Sequence, residues 1–202
     1  MKLRYTPTSP YVRKVMVCAA ETGSSGDLEL IPTDLRDPES DLPGDNPLGK
    51  VPTLITDDGD RLFDSPVICE YLDGLHDGDR LYPSSGAARW TALRLQALAD
   101  GILDAAVLCM LEGRREPGER SAAFVAHQKG KIERALDALE SEAAGLGGRL
   151  TIGAVTAGCA LGYLDFRRAE DRWREARPAL AAWYEAFSRR PLMAASAPRD
   201  PA

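Results

Sequence analysis

The stretch Asn46–Phe63, NPLGKVPTLITDDGDRLF, decides the fold. Its second half reads as a hairpin. Val51–Thr56 and Arg61–Phe63 are strand-like runs, and Asp57-Asp58-Gly59-Asp60 between them is the strongest turn signal in the chain. Its first half is broken by Pro47, Gly49 and Pro52. Proline has no N–H to give a sheet ladder, so Pro52 at the start of a strand implies an exposed main-chain edge. A cis bond before it would cost only ~0.5–1 kcal/mol. Such an edge can pair with an extended peptide, with Val51 offering its N–H and C=O.

Upstream of this hairpin, Lys2–Tyr5 reads as a strand, Pro10 to about Glu21 as a helix, and Leu28–Ile31 as a second strand after the turn Gly23-Ser24-Ser25-Gly26. That spacing predicts a parallel crossover unit. Asp34–Gly49 is too rich in Asp, Pro and Gly for a long regular element. Downstream, a helix from Pro66 carries Ile68, Tyr71, Leu72 and Leu75 on one face. From His76 to Gly86 the composition shifts to Asp, Gly, Pro and Ser, and no later segment resembles a strand. Leu98, Ile102, Ala105 and Cys109 make one helical stripe. Ile132, Leu136 and Leu139 make a second, Val155, Cys159 and Tyr163 a third, and Leu180, Trp183, Tyr184 and Phe187 a fourth. Pro191 and the Pro198–Pro201 tail are expected to end regular structure. The organisation predicted is an α/β domain over 1–75, a linker over 76–86, and an all-α bundle of at least four long helices over 87–202.

With 202 residues, 44% of them hydrophobic, the chain can build this much core. A net charge of -6 argues against a nucleic-acid partner. The basic pairs Arg114-Arg115, Arg167-Arg168 and Arg189-Arg190 lie among acids and read as solvated helix faces. No apolar run approaches the ~20 residues of a membrane span, and no charged leader precedes a long apolar stretch, so no membrane partner and a cytoplasmic location are expected. Cys18, Cys69, Cys109 and Cys159 form no C-x-x-C pair and read as small core residues. With only His76 and His127 as imidazoles, no metal site is expected.

Three short segments carry chemistry. In Thr8-Ser9-Pro10-Tyr11-Val12-Arg13-Lys14-Val15, serine caps a helix whose first residue is proline, and its hydroxyl can also face a ligand. In Asn46–Leu54 the Val51-Pro52 edge can receive a peptide. In Phe63-Asp64-Ser65-Pro66-Val67-Ile68, a second Ser-Pro start offers first-turn N–H groups and a hydroxyl to a carboxylate, with Asp64 beside them for an ammonium group. Each alone is an ordinary capped helix or edge proline. In order, and followed by Leu161-Gly162-Tyr163-Leu164-Asp165-Phe166-Arg167 and Pro191, they resemble the glutathione transferase family over nearly the whole chain, most of all a bacterial, theta-like branch with serine at the thiol position.

The resemblance implies a thioredoxin-like N-terminal domain and an all-helical C-terminal domain, with no permanently bound cofactor and glutathione as co-substrate. By the same resemblance Ser9 donates a hydrogen bond to the glutathione sulfur, with Tyr5 as the alternative hydroxyl. Val51 pairs with the cysteinyl backbone beside a cis Pro52, Asp64 and Ser65 hold the γ-glutamyl end, and Lys50 meets the glycine carboxylate. A small hydrophobic electrophile is expected against a mostly apolar wall of Tyr11, Ile102, Ala106, Met110 and Phe166, and a homodimer is the expected assembly. Serine in place of cysteine favours conjugation, or reduction of a peroxide, over thiol–disulfide exchange, which needs a protein thiolate. A non-catalytic binding module is the remaining alternative. At Thr151-Ile152-Gly153-Ala154 the family's capping box lacks its acid, so only a one-sided cap is expected.

Overall fold

A computed structural model describes residues 1–198. The chain opens with β1 (Lys2–Tyr5), α1 (Pro10–Glu21) and β2 (Glu29–Pro32). A single turn, α2 (Leu42–Asp45), follows, and then β3 (Thr53–Ile55), β4 (Arg61–Leu62) and α3 (Ser65–Gly74). The sheet order is β2-β1-β3-β4. β1 runs parallel to β2, with Leu3 opposite Leu30, and antiparallel to β3, where Leu3 is opposite Leu54; β3 and β4 pair antiparallel. The crossover and hairpin thus lie where the sequence put them. The hairpin strands are shorter than expected because pairing begins only after Pro52, which has no N–H to give. Gly59, at φ +87°, supplies the left-handed residue that lets Asp60 O accept from Thr56 N at 2.9 Å.

The second domain holds α4 (Gly86–Gly113), α5 (Ala122–Leu146), α6 (Ile152–Arg167), α7 (Pro178–Ser188) and α8 (Pro191–Ala195). This is a mixed four-stranded α/β layer followed by a helical bundle. Pro191 does not end regular structure: it occupies the first turn of α8, a position where the missing N–H is no loss. Arg199 to Pro201, the rest of the expected irregular tail, lie outside the described residues.

Two stripes differ from the expectation. On α3 the buried side is Ile68, Cys69, Leu72 and Asp73, whereas Leu75 is 51% exposed, because it caps the helix and leaves the helical phase. On α6 every residue from Ile152 to Leu164 is buried, not Val155, Cys159 and Tyr163 alone. Glycines make that possible. A Cβ at Gly153 would sit 2.9 Å from Ala92 O, and one at Gly162 would sit 2.6 Å from the Tyr184 hydroxyl, so α4 and α7 approach closer than a side chain would allow.

The segment between the domains is pinned. The Asp73 carboxylate accepts from Leu81 N at 2.7 Å and Tyr82 N at 3.0 Å, and Leu81 O accepts from Ile152 N at 3.0 Å. The Tyr82 hydroxyl donates to Pro66 O and accepts from the Gln96 amide. All four cysteines are buried and free. The arginine pairs are less uniform than solvated faces: Arg168 is buried against Asp171, and Arg190 reaches across the domains to Glu21 at 2.9 Å.

Candidate glutathione site

Each of the three segments sits at the end of an element that aims it. Ser9 is the N-cap of α1, in extended conformation, and its Oγ accepts from Val12 N at 3.3 Å. Pro10 follows at the first helical position. With the oxygen engaged by the backbone, the hydroxyl hydrogen is what Ser9 has left to give. Val12 packs with Leu42 and Val51 in a small cluster of its own, and Tyr5 lies against that cluster. The side of α1 that begins at Ser9 therefore touches the loop that carries Val51.

That loop is held by Asn46, which is buried. Its amide nitrogen donates to Lys50 O at 3.0 Å and to Thr53 Oγ1 at 3.1 Å, and its oxygen accepts from Leu48 N at 3.0 Å. Thr53 Oγ1 also donates to Lys50 O at 2.8 Å. The turn passes through Gly49 at φ +58° and delivers an exposed Lys50. The Val51-Pro52 bond is cis. Neither the N–H nor the C=O of Val51 is hydrogen-bonded within the described chain.

The second Ser-Pro start is one residue out of step with the first. Here Asp64 is the N-cap and makes no side-chain capping bond, and Ser65 is the first helical residue, 2% exposed. Phe63-Asp64 is also a cis peptide. The Ser65 hydroxyl has no partner among the described residues, and Asp64 O closes the first helical turn with Ile68 N at 3.1 Å. The turn's remaining N–H groups point out of the helix start, where an anion is favoured.

Charged residues from both domains complete the surroundings. Lys14, fully buried, places its Nζ 2.7 and 2.8 Å from the two oxygens of Asp100 on α4. Burial pushes the Asp100 carboxyl above the ordinary range; the Lys14 ammonium opposes this, and Asp104 and Asp64 add to it. Tyr11 donates a short hydrogen bond to Asp104. Burial, and then that bond, raise the Tyr11 phenol far above its usual value. Sequence reasoning did not single out Lys14, Asp100, Asp104 or Asn46. The available signal was the i, i+4 spacing of the two aspartates on α4 and the step of three from Tyr11 to Lys14 on α1, which puts each pair on one face.

The expected apolar wall is rearranged. Ile102 and Ala106 have no exposed surface and belong to the core between helices. They lie about 200° round α4 from Asp100 and Asp104, so they cannot face α1 as well. Tyr11, Met110 and Phe166 are half-buried. Phe166 is tilted 6.4 Å from Tyr163 and carries the Arg167 guanidinium 3.8 Å above its ring. A cavity of about 590 Å³ bounded by Met1, Lys2, Asp27, Glu29 and Asp57 includes none of these groups. Among the described residues no three His, Cys, Asp or Glu are grouped to hold a metal, and no helix is long and apolar enough to cross a membrane.

Comparison with known proteins identifies the architecture. Residues 8–75 match the glutathione S-transferase N-terminal domain, and residues 122–186 the glutathione S-transferase C-terminal domain. The chain is 35% identical, over 94% of its length and 95% of the relative's, to an uncharacterized GST-like protein, YibF, of Escherichia coli K12. A glutathione transferase family member from Pseudomonas fluorescens Pf-5, solved with bound glutathione, is 46% identical, with a TM-score of 0.95 over 98% of this chain and 99% of that one. A glutathione S-transferase from Methylobacillus flagellatus KT, solved with glutathione bound, is 39% identical, with a TM-score of 0.92 over 98% and 99%. By these matches this chain is a member of the glutathione transferase family.

Proposed function

We propose that the protein binds glutathione across the starts of α1 and α3 and activates its thiol for attack on a small electrophile. Val51 pairs with the cysteinyl backbone, Asp64 and Ser65 take the γ-glutamyl end, Lys50 takes the glycine carboxylate, and Ser9 donates to the sulfur. The observation that carries this reading is the Ser9 cap: its oxygen already accepts from Val12 N, so its proton is free for a thiolate at a helix N-terminus. A free thiol of pKa ~8.5 needs about 2.7 kcal/mol to move down two units. A hydrogen bond to a charged sulfur supplies ~1.5–3 kcal/mol and the helix end ~0.3–1 more, which suffices without a covalent intermediate on the protein. Tyr5 lies against the Val12 and Val51 cluster, which favours a packing role for it over Ser9's.

Binding of glutathione in the relatives from Pseudomonas fluorescens and Methylobacillus flagellatus supports the ligand. A second Pseudomonas fluorescens Pf-5 structure, 46% identical, carries S-(propanoic acid)-glutathione, a thioether, which supports chemistry at sulfur. The exposed Trp90 and Val67 flank the Arg89–Glu70 ion pair that joins α4 to α3, and we assign this face to a homodimer. A cytoplasmic location accords with four free thiols. The test combines glutathione calorimetry with conjugation of a dinitrohalobenzene and reduction of an organic peroxide, each with Ser9→Ala alongside. Binding with turnover that collapses in Ser9→Ala is the expected result; binding with no turnover in either assay would make the protein a glutathione-binding module.

A further inference from the structure

Two hydroxyls belong to the first turn of α1, and they are engaged in opposite ways. Ser9 caps the helix through its oxygen, which accepts from Val12 N, and no described residue takes its hydrogen. Tyr11 stands two residues on. Helical side chains lean back toward the N-terminus, so its half-buried ring lies over the turn that Ser9 opens. Its hydroxyl donates a short hydrogen bond across the domains to Asp104 of α4. A second contact repeats this crossing about one turn along both helices, where Lys14 Nζ meets the two Asp100 oxygens at 2.7 and 2.8 Å. Asp100 thus has its cation. Asp104, which is exposed, has no ion pair among the described residues and holds the phenol instead. Burial first, and then that hydrogen bond, raise the phenol far above its usual range, so it keeps its proton at neutral pH. The other ionisable groups about this corner are Tyr5 on β1, Lys50 before β3, Asp64 at the start of α3 and Tyr163 on α6. Arg13 turns away, to Met193 O and Ser196, and α8 packs on α1 with no ionisable side chain of its own.

A phenol whose hydrogen is committed to a carboxylate can still accept from a neighbour, but it cannot donate to a thiolate. We propose that Asp104 is a positioning residue of the glutathione site: by taking the Tyr11 proton it ties that ring to α4 and withholds the phenol from the sulfur, which leaves Ser9 as the donor. The inference rests on the glutathione reading above, since it needs the sulfur at the start of α1. An ionised carboxylate suits this task. It only accepts, and a hydrogen bond to it is stronger than one to a neutral oxygen, so it competes for the phenol proton against a sulfur anion. The two hydroxyls of one turn are thereby divided: Ser9 serves the thiolate, and Tyr11 stands as a fixed wall beside it.

Freeing the phenol tests whether it can then do what Ser9 does. The full chain is saturated with glutathione, as followed by calorimetry, and the bound thiol is titrated through its thiolate ultraviolet absorbance. Ser9→Ala alone should lose the depression of the thiol pKa. Ser9→Ala combined with Asp104→Ala should regain about one unit, and adding Tyr11→Phe should abolish the gain. Asp104→Asn, in the same Ser9→Ala background, removes the charge but keeps a carbonyl oxygen for the phenol, and should regain less than half as much. Asp104 is exposed and alanine is a strong helix former, so α4 keeps its structure in these variants, which thermal melts check. No gain with Asp104→Ala, a gain that survives Tyr11→Phe, or an equal gain with Asp104→Asn overturns the assignment and leaves the glutathione reading intact. Failure of the natural chain to bind glutathione sinks the glutathione reading, and this inference falls with it.

Discussion

The starts of α1 and α3 share the same Ser-Pro pair and use it differently. At α1 the serine is the cap, its oxygen holding Val12 N at 3.3 Å. At α3 the register is shifted by one: Asp64 takes the cap position with no side-chain bond to the turn, and Ser65 enters the helix with its hydroxyl unpartnered among the described residues. An N-cap serine has one lone pair committed to the backbone and keeps its O–H to donate outward; a serine at the first helical position, beside unused N–H groups, is part of an anion cradle. Sequence identity of a dipeptide therefore does not fix its chemistry; its register against the helix start does. In the proposed function Ser9 acts on the sulfur and Ser65 on the γ-glutamyl carboxylate.

Substitutions break this comparison in graded ways. Ser9→Ala should have the largest effect, lowering kcat/KM by about 10–100-fold through loss of the donor to sulfur, with glutathione affinity little changed. Ser65→Ala should reverse the split, weakening glutathione binding by about tenfold with a smaller loss in kcat, read by calorimetry beside steady-state kinetics. In chemical denaturation the order differs again. Ser9→Ala loses a cap and should cost about 1 kcal/mol of stability, whereas Asp64→Ala, which caps nothing, should cost less, and equal losses would mean that the two starts are not distinct. Asn46→Ala should both destabilise the fold and weaken glutathione binding, because it frees the turn that presents Val51.

Acid titration supplies a control away from both helix starts. Burial opposes the charge on Asp171, but hydrogen bonds from Arg168 and Lys129 outweigh it and hold the carboxyl below its usual value. A carboxyl lowered on folding stabilises the native state above its unfolded pKa, and that contribution is lost as pH falls through the lowered folded value. Asp171→Asn should therefore lower Tm at pH 7, with the difference from the natural chain closing below about pH 4. Glutathione affinity should not respond.

Local signals were legible in the sequence and crossings were not. The Ser9 cap, the Pro10 helix start and the Asp57–Asp60 turn are written in four or five consecutive residues, and the structure has them in place. The Lys14–Asp100 pair joins residues 86 apart and exists only because the fold brings α1 within side-chain reach of α4. Ile102 and Ala106 show how a correct helix can yield a wrong wall. Their stripe is real, but it faces the core, and the face toward α1 is the polar one bearing Asp100 and Asp104. For α6, counting apolar residues on one face could not reveal a helix buried all round; the spacing of Gly153, Gly158 and Gly162, each where another helix comes close, carried that information.

The division of labour between the two helix starts is tested most directly by the ionisation of bound glutathione, followed by thiolate ultraviolet absorbance as pH is raised. In the natural chain the bound thiol should titrate about two units below the free tripeptide. Ser65→Ala, at saturating ligand, should keep that depression, and Ser9→Ala should lose it. A bound thiol that ionises as in free solution, or a depression that survives Ser9→Ala, would contradict the assignment of Ser9 to the sulfur.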